Sequence, residues 1–275
     1  MDIKAFKMDG LGNDFVIIDQ RYQNYNLTKD QIIKICDRKF IGCDQLIFIQ
    51  KSDEKDAGLE FYNSDGSISG ACGNGTRCVA DLLSKENNDK EIILWTSSGV
   101  LKSQILDDNL VETEIGVPKT NWNEIPLNQK LDTKNLNIKI VNKNNIEHVG
   151  GTSVNVGNPH VVFFVDSIEN YDLKKIGPEI ENHSYFPEKC NVTLAQVINK
   201  KLIKVKVWER GAGLTKACGT AACATAVAAN INELTDKTTD IEFALGKLSI
   251  SIDENNSIHM KGPVSDIKNI EINIY

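Results

Sequence analysis

The phrase Ala-Cys-Gly occurs at Ala71-Cys72-Gly73 and again at Ala217-Cys218-Gly219, each time ahead of an apolar run with helical patterning. The two cysteines lie 218 − 72 = 146 residues apart. Other polar landmarks keep nearly the same distance. Asn13 in Gly12-Asn13-Asp14 stands against Asn158 in Gly157-Asn158-Pro159, at 158 − 13 = 145. Gln45 stands against Asn191 at 191 − 45 = 146, and Asn63 against Glu209 at 209 − 63 = 146. A register held over so much of the chain points to a duplicated half. The fold must then contain two similar parts, expected to face each other across a pseudo-twofold axis. Pro118 and the Asn/Lys-rich stretch around Asn121 to Asn145 suit a boundary between them.

Inside each part the pattern favours sheet. Short β-branched and aromatic runs bordered by turn residues read as strands: Phe15–Ile18, Leu46–Ile49, Leu59–Tyr62 and Glu91–Trp95, then His160–Val165, Leu202–Trp208 and Lys247–Ile252. Helical patterns are fewer. One opens near Thr28, where Thr28 and Gln31 have capping-box spacing ahead of Ile32, Ile33 and Ile35. The others follow Cys72 and Cys218. The expected class is a sheet-rich α+β fold of two pseudo-symmetric lobes, not a regular βαβ alternation.

Composition narrows the function classes. The 275 residues are 41% apolar and 25% charged with a formal charge of −7, and no Lys/Arg run stands out. Nucleic acid and anionic membrane surfaces are therefore poor partners. No run approaches the ~20 apolar residues of a membrane span, and the first residues lack a signal-peptide core. A cytoplasmic location is expected. Seven cysteines are an odd number, no Cys-x-x-Cys occurs, and none of the four histidines adjoins a cysteine. This argues against a disulfide framework and against a structural zinc site. Cys36, Cys78 and Cys223 fall in apolar helical patterns and read as small core residues.

Cys72 and Cys218 read differently. A thiol just ahead of small residues that open a helix meets backbone N–H groups and the positive end of the helix dipole, which favour its thiolate. Two such thiols acting on one molecule suit removal of a proton from one face of a carbon and return of a proton to the other. Two close anions resist forming together, so one sulfur is thiolate while the other keeps its proton. The outcome is inversion of a stereocentre, with no metal and no cofactor required. Backbone N–H groups at Gly73-Asn74 and Gly219-Thr220 suit the carboxylate beside the reacting carbon, because glycine lets backbone approach closely. Glu209-Arg210 offers opposite charges for the ammonium and carboxylate of an amino-acid end. Asn13, Gln45, Asn63, Asn158 and Asn191 add amide groups, and His160 is a candidate to orient them. Taken singly, each Asn beside Gly is as well explained by turn chemistry.

Four stretches in order closely resemble the diaminopimelate epimerase family: Lys7–Phe15, Asn63–Ser67 running to Ala71–Cys78, Asn155–His160, and Trp208–Gly213 running to Ala217–Thr220. The resemblance covers nearly the whole chain. It implies a cofactor-independent isomerase that interconverts LL- and meso-diaminopimelate in the lysine and cell-wall precursor pathway. It also implies two similar lobes, each a mixed, mostly antiparallel sheet wrapped around a central helix. The lobes would span residues 1–117 and 118–262, with 263–275 returning to the first. By matching motif, Cys72 and Cys218 would be the two acid/base thiols, and Gly73, Asn74, Gly219 and Thr220 would bind the reacting carboxylate. Asn13, Gln45, Asn63, Asn158, Asn191, Glu209 and Arg210 would hold the rest of the substrate. Asp9, Leu214, Ala221 and a shortened run at Phe40–Asp44 depart from the usual pattern without removing a proposed catalytic group. A homodimer is the assembly considered.

Three other readings compete. A related two-cysteine racemase would act on proline, hydroxyproline or histidine, but Glu209-Arg210 with Asn63 and Asn191 argues for a second amino-acid head group. A nucleotide module from Gly10-Leu11-Gly12 lacks both a completed Gly-x-Gly-x-x-Gly and a Walker lysine. A thiol redox sensor would make a Cys72–Cys218 disulfide the working state.

Overall fold

Strand runs with alternating burial and two almost wholly buried helices build the protein. A computed structural model describes residues 2–70, 72–107 and 109–274. Met1, Ala71 (the first residue of the first Ala-Cys-Gly phrase), Asp108 and Tyr275 lie outside the described residues. The chain divides into two compact units, residues 1–114 with 261–275, and residues 115–260.

The first unit holds β1 (Asp2–Gly10), β2 (Asn13–Asp19), α1 (Lys29–Cys36), β3 (Gln45–Gln50), β4 (Ala57–Asn63), β5 (Ile68–Ser69), α2 (Gly73–Asn87), β6 (Glu91–Thr96), β7 (Gly99–Asp107) and most of β8 (Leu110–Gly116). Leu11 and Gly12 both take positive φ, 63° and 80°, the two-residue loop geometry that suits the twist of an antiparallel hairpin. Gly10-Leu11-Gly12 is therefore a hairpin tip and opens no helix. β2 pairs in parallel with β3, a connection that requires a crossover, and α1 supplies it. The crossover helix begins on a full capping box. The Thr28 side chain accepts from the Gln31 backbone and the Gln31 amide oxygen accepts from the Thr28 N–H, a motif that stabilises a helix by about 1 kcal/mol. β3 and β4 are antiparallel, β4 and β6 parallel with α2 crossing between them, and β6, β7 and β8 follow as antiparallel neighbours.

The second unit holds β9 (Ile138–Val141), β10 (Glu147–Gly150), β11 (Thr152–Asn155), β12 (Pro159–Phe164), α3 (Leu173–Glu181), β13 (Asn191–Asn199), β14 (Leu202–Glu209), β15 (Gly213–Thr215), α4 (Gly219–Ile231), β16 (Thr238–Phe243), β17 (Gly246–Ile252) and the first part of β18 (Ile258–Pro263). Its pairing repeats that of the first. β11 and β12 are antiparallel, β12 and β13 parallel across α3, β13 and β14 antiparallel, and β14 and β16 parallel across α4. The sequence landmarks fall on matching points: Gln45 and Asn191 open β3 and β13, Asn63 and Glu209 end β4 and β14, and Cys72 and Cys218 cap α2 and α4. β19 (Lys268–Asn273) belongs to the first unit and pairs antiparallel with β1.

Each unit is a mixed, mostly antiparallel sheet around a buried helix. In α4 nearly every residue from Gly219 to Ala229 is buried, and most are alanine, so the sheet approaches the helix from many sides. In α2 the approach is closest at Gly75, where a Cβ would stand 2.7 Å from Ile47 Cδ1 and 3.0 Å from Phe61. The Asn/Lys-rich stretch lies at the start of the second unit and contributes to its core. Its widely spaced Ile125, Leu127, Leu136, Ile138 and Ile140 pack with Phe163, Val192 and Leu194.

Candidate active site

In the first unit, Cys72 is the N-cap of α2, with extended backbone (φ −144°, ψ 108°) and no side-chain cap bond of the kind serine or aspartate would make. Intrahelical bonding starts at Thr76, whose N–H donates to the Cys72 carbonyl at 2.8 Å. The N–H groups of Gly73 and Asn74 thus sit in the first turn, where a helix offers donors and partial positive charge to an anion. The Cys72 thiol lies 3.7 Å from Asn13 Oδ1, which also accepts from Asn74 Nδ2 at 3.3 Å. Asn13 Nδ2 in turn donates to Asp44 Oδ2 at 3.0 Å. Next to this group, Gln45 Nε2 donates to Asn63 Oδ1 at 2.8 Å across the β3–β4 pair, and Asn63 Nδ2 donates to Ser67 Oγ at 3.0 Å.

In the second unit, Cys218 is the N-cap of α4 with nearly the same backbone (φ −146°, ψ 116°). Its thiol lies 3.4 Å from Thr220 Oγ1. The electrostatics differ from what a helix N-terminus alone would give. Burial pushes the Cys218 thiol well above its ordinary value and the Glu209 carboxylate adds to the rise, while the Thr220 hydroxyl and the Ala221 N–H only partly oppose them. Cys218 therefore holds its proton. His160 Nε2 lies 2.8 Å from Asn158 Oδ1 and 3.4 Å from Asn191 Nδ2, so the ring links the two amides. Burial and then the Arg210 charge hold the imidazole down to about 3, so His160 is neutral. Asn191 is occupied by backbone: its Nδ2 donates to the Pro159 carbonyl at 3.1 Å and its Oδ1 accepts from the Arg210 N–H at 3.0 Å. The Arg210 guanidinium donates to the Glu188 carbonyl at 2.8 Å and is otherwise outward.

Asn13, Cys72 and Asn74 thus form one group, Gln45 and Asn63 a second, Asn158, His160, Asn191 and the Arg210 backbone a third, and Cys218, Thr220 and Glu209 a fourth. Two sets of supporting residues carry no local signature. Asp14, Arg38 and Asp44 form an ion network behind Asn13, with Arg38 2.6 Å from Asp14 and 2.5 Å from Asp44. Burial alone would raise Asp14, but Arg38 and Lys7 hold it below the usual carboxylate range. Glu181 is a buried carboxylate that accepts from Trp208 Nε1 at 2.7 Å and from the Gly211 N–H at 3.1 Å. It fixes the turn that carries Glu209 and Arg210. Among the described residues no cluster of His, Cys, Asp or Glu is arranged to hold a metal ion.

The diaminopimelate epimerase family model matches residues 5–120 and 152–267. The diaminopimelate epimerase of Pelagibacter ubique (strain HTCC1062) is 77% identical over the full length of both chains. That of Acidiphilium cryptum (strain JF-5) is 39% identical over 94% of this chain and 92% of the relative. Among solved structures, a Bacillus anthracis phenazine biosynthesis protein of the PhzF family covers all of both chains with a TM-score of 0.70 at 15% identity. A hydroxyproline epimerase from Agrobacterium vitis gives 0.67 at 12% identity, over 98% of this chain and 91% of that one. The structural likenesses carry the fold alone; the sequence matches carry more, and on them the chain belongs to the diaminopimelate epimerase family.

Proposed function

We propose that Cys72 and Cys218 are the two acid/base groups of the family reaction, the interconversion of LL- and meso-diaminopimelate, each serving one face of the α-carbon. The observation that carries this reading is the equivalence of the two thiols. Each is the N-cap of the buried helix of its unit, reached by the same order of strands, with the same extended backbone. Whichever sulfur removes the α-proton, the other returns one to the opposite face. A protonated Cys218 fits the second role, since a donor must enter the reaction still carrying its proton.

Removal of the proton pushes negative charge toward the adjacent carboxylate. First-turn N–H groups at Gly73-Asn74 and Gly219-Thr220 are donors of the kind that stabilise such charge where it develops. Glu209, beside Arg210 at the end of β14, offers a carboxylate that suits the distal ammonium of the substrate. The outward guanidinium of Arg210, its backbone held by Asn191, suits a carboxylate at the far end of the substrate. Asn13, Gln45, Asn63 and Asn158 supply the remaining polar contacts, and His160 holds the Asn158 amide. The matched strand ends Asn63 and Glu209 differ in charge, which suits a site symmetric at the reacting carbon and asymmetric at the far end of the substrate.

The seven cysteines, none of them in a disulfide among the described residues, suit a reducing compartment, so the same proposal takes the protein as cytoplasmic. It takes the assembly as a homodimer, which light scattering of the purified protein decides. The substrate assignment is tested by assaying the purified chain on LL-diaminopimelate, L-proline and L-histidine. Turnover of the first alone is expected; no turnover of diaminopimelate overturns the reading.

A further inference from the structure

Asn13 is the residue through which an ion network reaches a catalytic thiol. Its amide has two chemically opposite ends. Nδ2 faces Asp44 Oδ2 at 3.0 Å, and Oδ1 faces both Cys72 Sγ at 3.7 Å and Asn74 Nδ2 at 3.3 Å. A carboxylate only accepts hydrogen bonds, so an ionised Asp44 tolerates only the NH2 end of Asn13. Asn74 exerts no such choice. It is buried, and its Oδ1 meets no donor among the described residues, so turning its own amide would serve a reversed Asn13 equally well. Asp44 is itself fixed from three sides. Arg38 Nη2 holds Oδ1 at 2.5 Å, the Asp14 N–H donates to Oδ2 at 3.1 Å, and the Asp44 N–H donates to the Asp14 carbonyl at 2.9 Å.

We infer that Asp44, held by Arg38, is a positioning residue that turns the carbonyl end of the Asn13 amide, not its NH2 end, toward the Cys72 thiol. The consequence is chemical. An oxygen acceptor beside Cys72 receives the S–H and stabilises the protonated sulfur. A reversed amide would present an N–H donor and stabilise the thiolate. Asp44 thus opposes the helix terminus, which favours thiolate, and makes the Cys72 sulfur a stronger base for the α-proton without touching it. The second unit does not repeat the device, because there the matching amide oxygen, that of Asn158, is taken by His160 at 2.8 Å. The two thiols are equivalent in backbone and unequal in the groups that set their protonation.

This inference rests on the reading of Cys72 as an acid/base group, but its test does not need turnover. The charged and titratable groups nearest this corner are Lys7, Asp9, Asp14, Arg38, Asp44, Arg77 and Cys78, with Cys36 and Cys43 behind the ion network. Of these, Asp44→Asn changes one and keeps its shape. The rate of Cys72 alkylation by iodoacetamide is followed against pH, peptide by peptide, by mass spectrometry. In Asp44→Asn the half-maximal pH is expected to fall by about one unit, the size of shift a hydrogen bond to the ionised form produces. Asp44→Glu is expected to restore the parent profile. Arg38→Gln, at a half-exposed side chain whose loss does not threaten folding, is expected to shift the profile the same way by loosening Asp44. Coincident profiles in the parent and in whichever of Asp44→Asn and Arg38→Gln is folded overturn the inference. Normal epimerisation by Cys72→Ser would instead remove the catalytic reading and leave the alkylation result standing by itself.

Discussion

The indole N–H of Trp208 donates to the buried carboxylate of Glu181 at 2.7 Å, tying the end of β14 to the end of α3. The second oxygen of that carboxylate accepts from the Gly211 N–H at 3.1 Å, so one side chain spans the turn that presents Glu209 and Arg210. Replacing Glu181 with glutamine sets an NH2 group against one of these two donors. The expected result is a KM for diaminopimelate raised about tenfold with kcat lowered less, because the lost element is the placement of binding groups. Steady-state kinetics check the split, and a matching fall in both kcat and kcat/KM would contradict it.

His160 makes stability depend on pH in a defined direction. Its imidazole is held down to about 3 by burial and then by the Arg210 charge, against an ordinary 6.5. Below 6.5 the unfolded chain therefore takes a proton that the folded protein refuses. The stability from neutral His160 is fully present above that pH and is lost as pH falls toward 3. The loss approaches ~1.4 kcal/mol per pH unit. Urea midpoints measured from neutral pH downward should show this slope in the parent and a shallower one in His160→Gln. Equal slopes would contradict the assignment.

Gly75 and Ala221 occupy the same helical position in their units, at 221 − 75 = 146. Their environments are opposite. A Cβ at Gly75 would meet Ile47 Cδ1 at 2.7 Å, whereas Ala221 already packs its methyl in a fully buried site. Gly75→Ala should destabilise by about 1–3 kcal/mol through overpacking. Ala221→Gly should destabilise by about 1 kcal/mol through backbone freedom. Thermal unfolding of both variants measures the two effects; a stabilised Gly75→Ala would show that the sheet can yield.

The features legible in the sequence were the local ones. The capping box at Thr28, the strand runs and the helices after Cys72 and Cys218 are each specified within a few residues, and the structure has all of them. The repeat was legible because polar residues at strand ends and helix starts keep their spacing when a half is duplicated. α3 escaped because Gly177 and Pro178 interrupt its pattern. Yet Gly177 is needed where it is, since a Cβ there would stand 2.6 Å from the Trp208 ring. β1 and β19 were hidden by lysines and acidic residues on their open faces. The Arg38–Asp44–Asn13 chain and the Glu181 clamp join residues far apart in sequence, and no local pattern encodes such pairings. At Cys218 the helix terminus favours thiolate, but burial and the Glu209 carboxylate push the other way, and neither is legible from the residues beside the cysteine.

The central claim is that two thiols divide one proton transfer between them. It is tested most directly by running Cys72→Ser and Cys218→Ser on LL- and meso-diaminopimelate in deuterated water, with α-proton exchange and epimerisation followed together by NMR. The account predicts epimerisation reduced by at least ~10²-fold in each variant. It also predicts solvent exchange surviving from one stereoisomer in the first variant and from the other stereoisomer in the second. Near-normal epimerisation by either variant would contradict it.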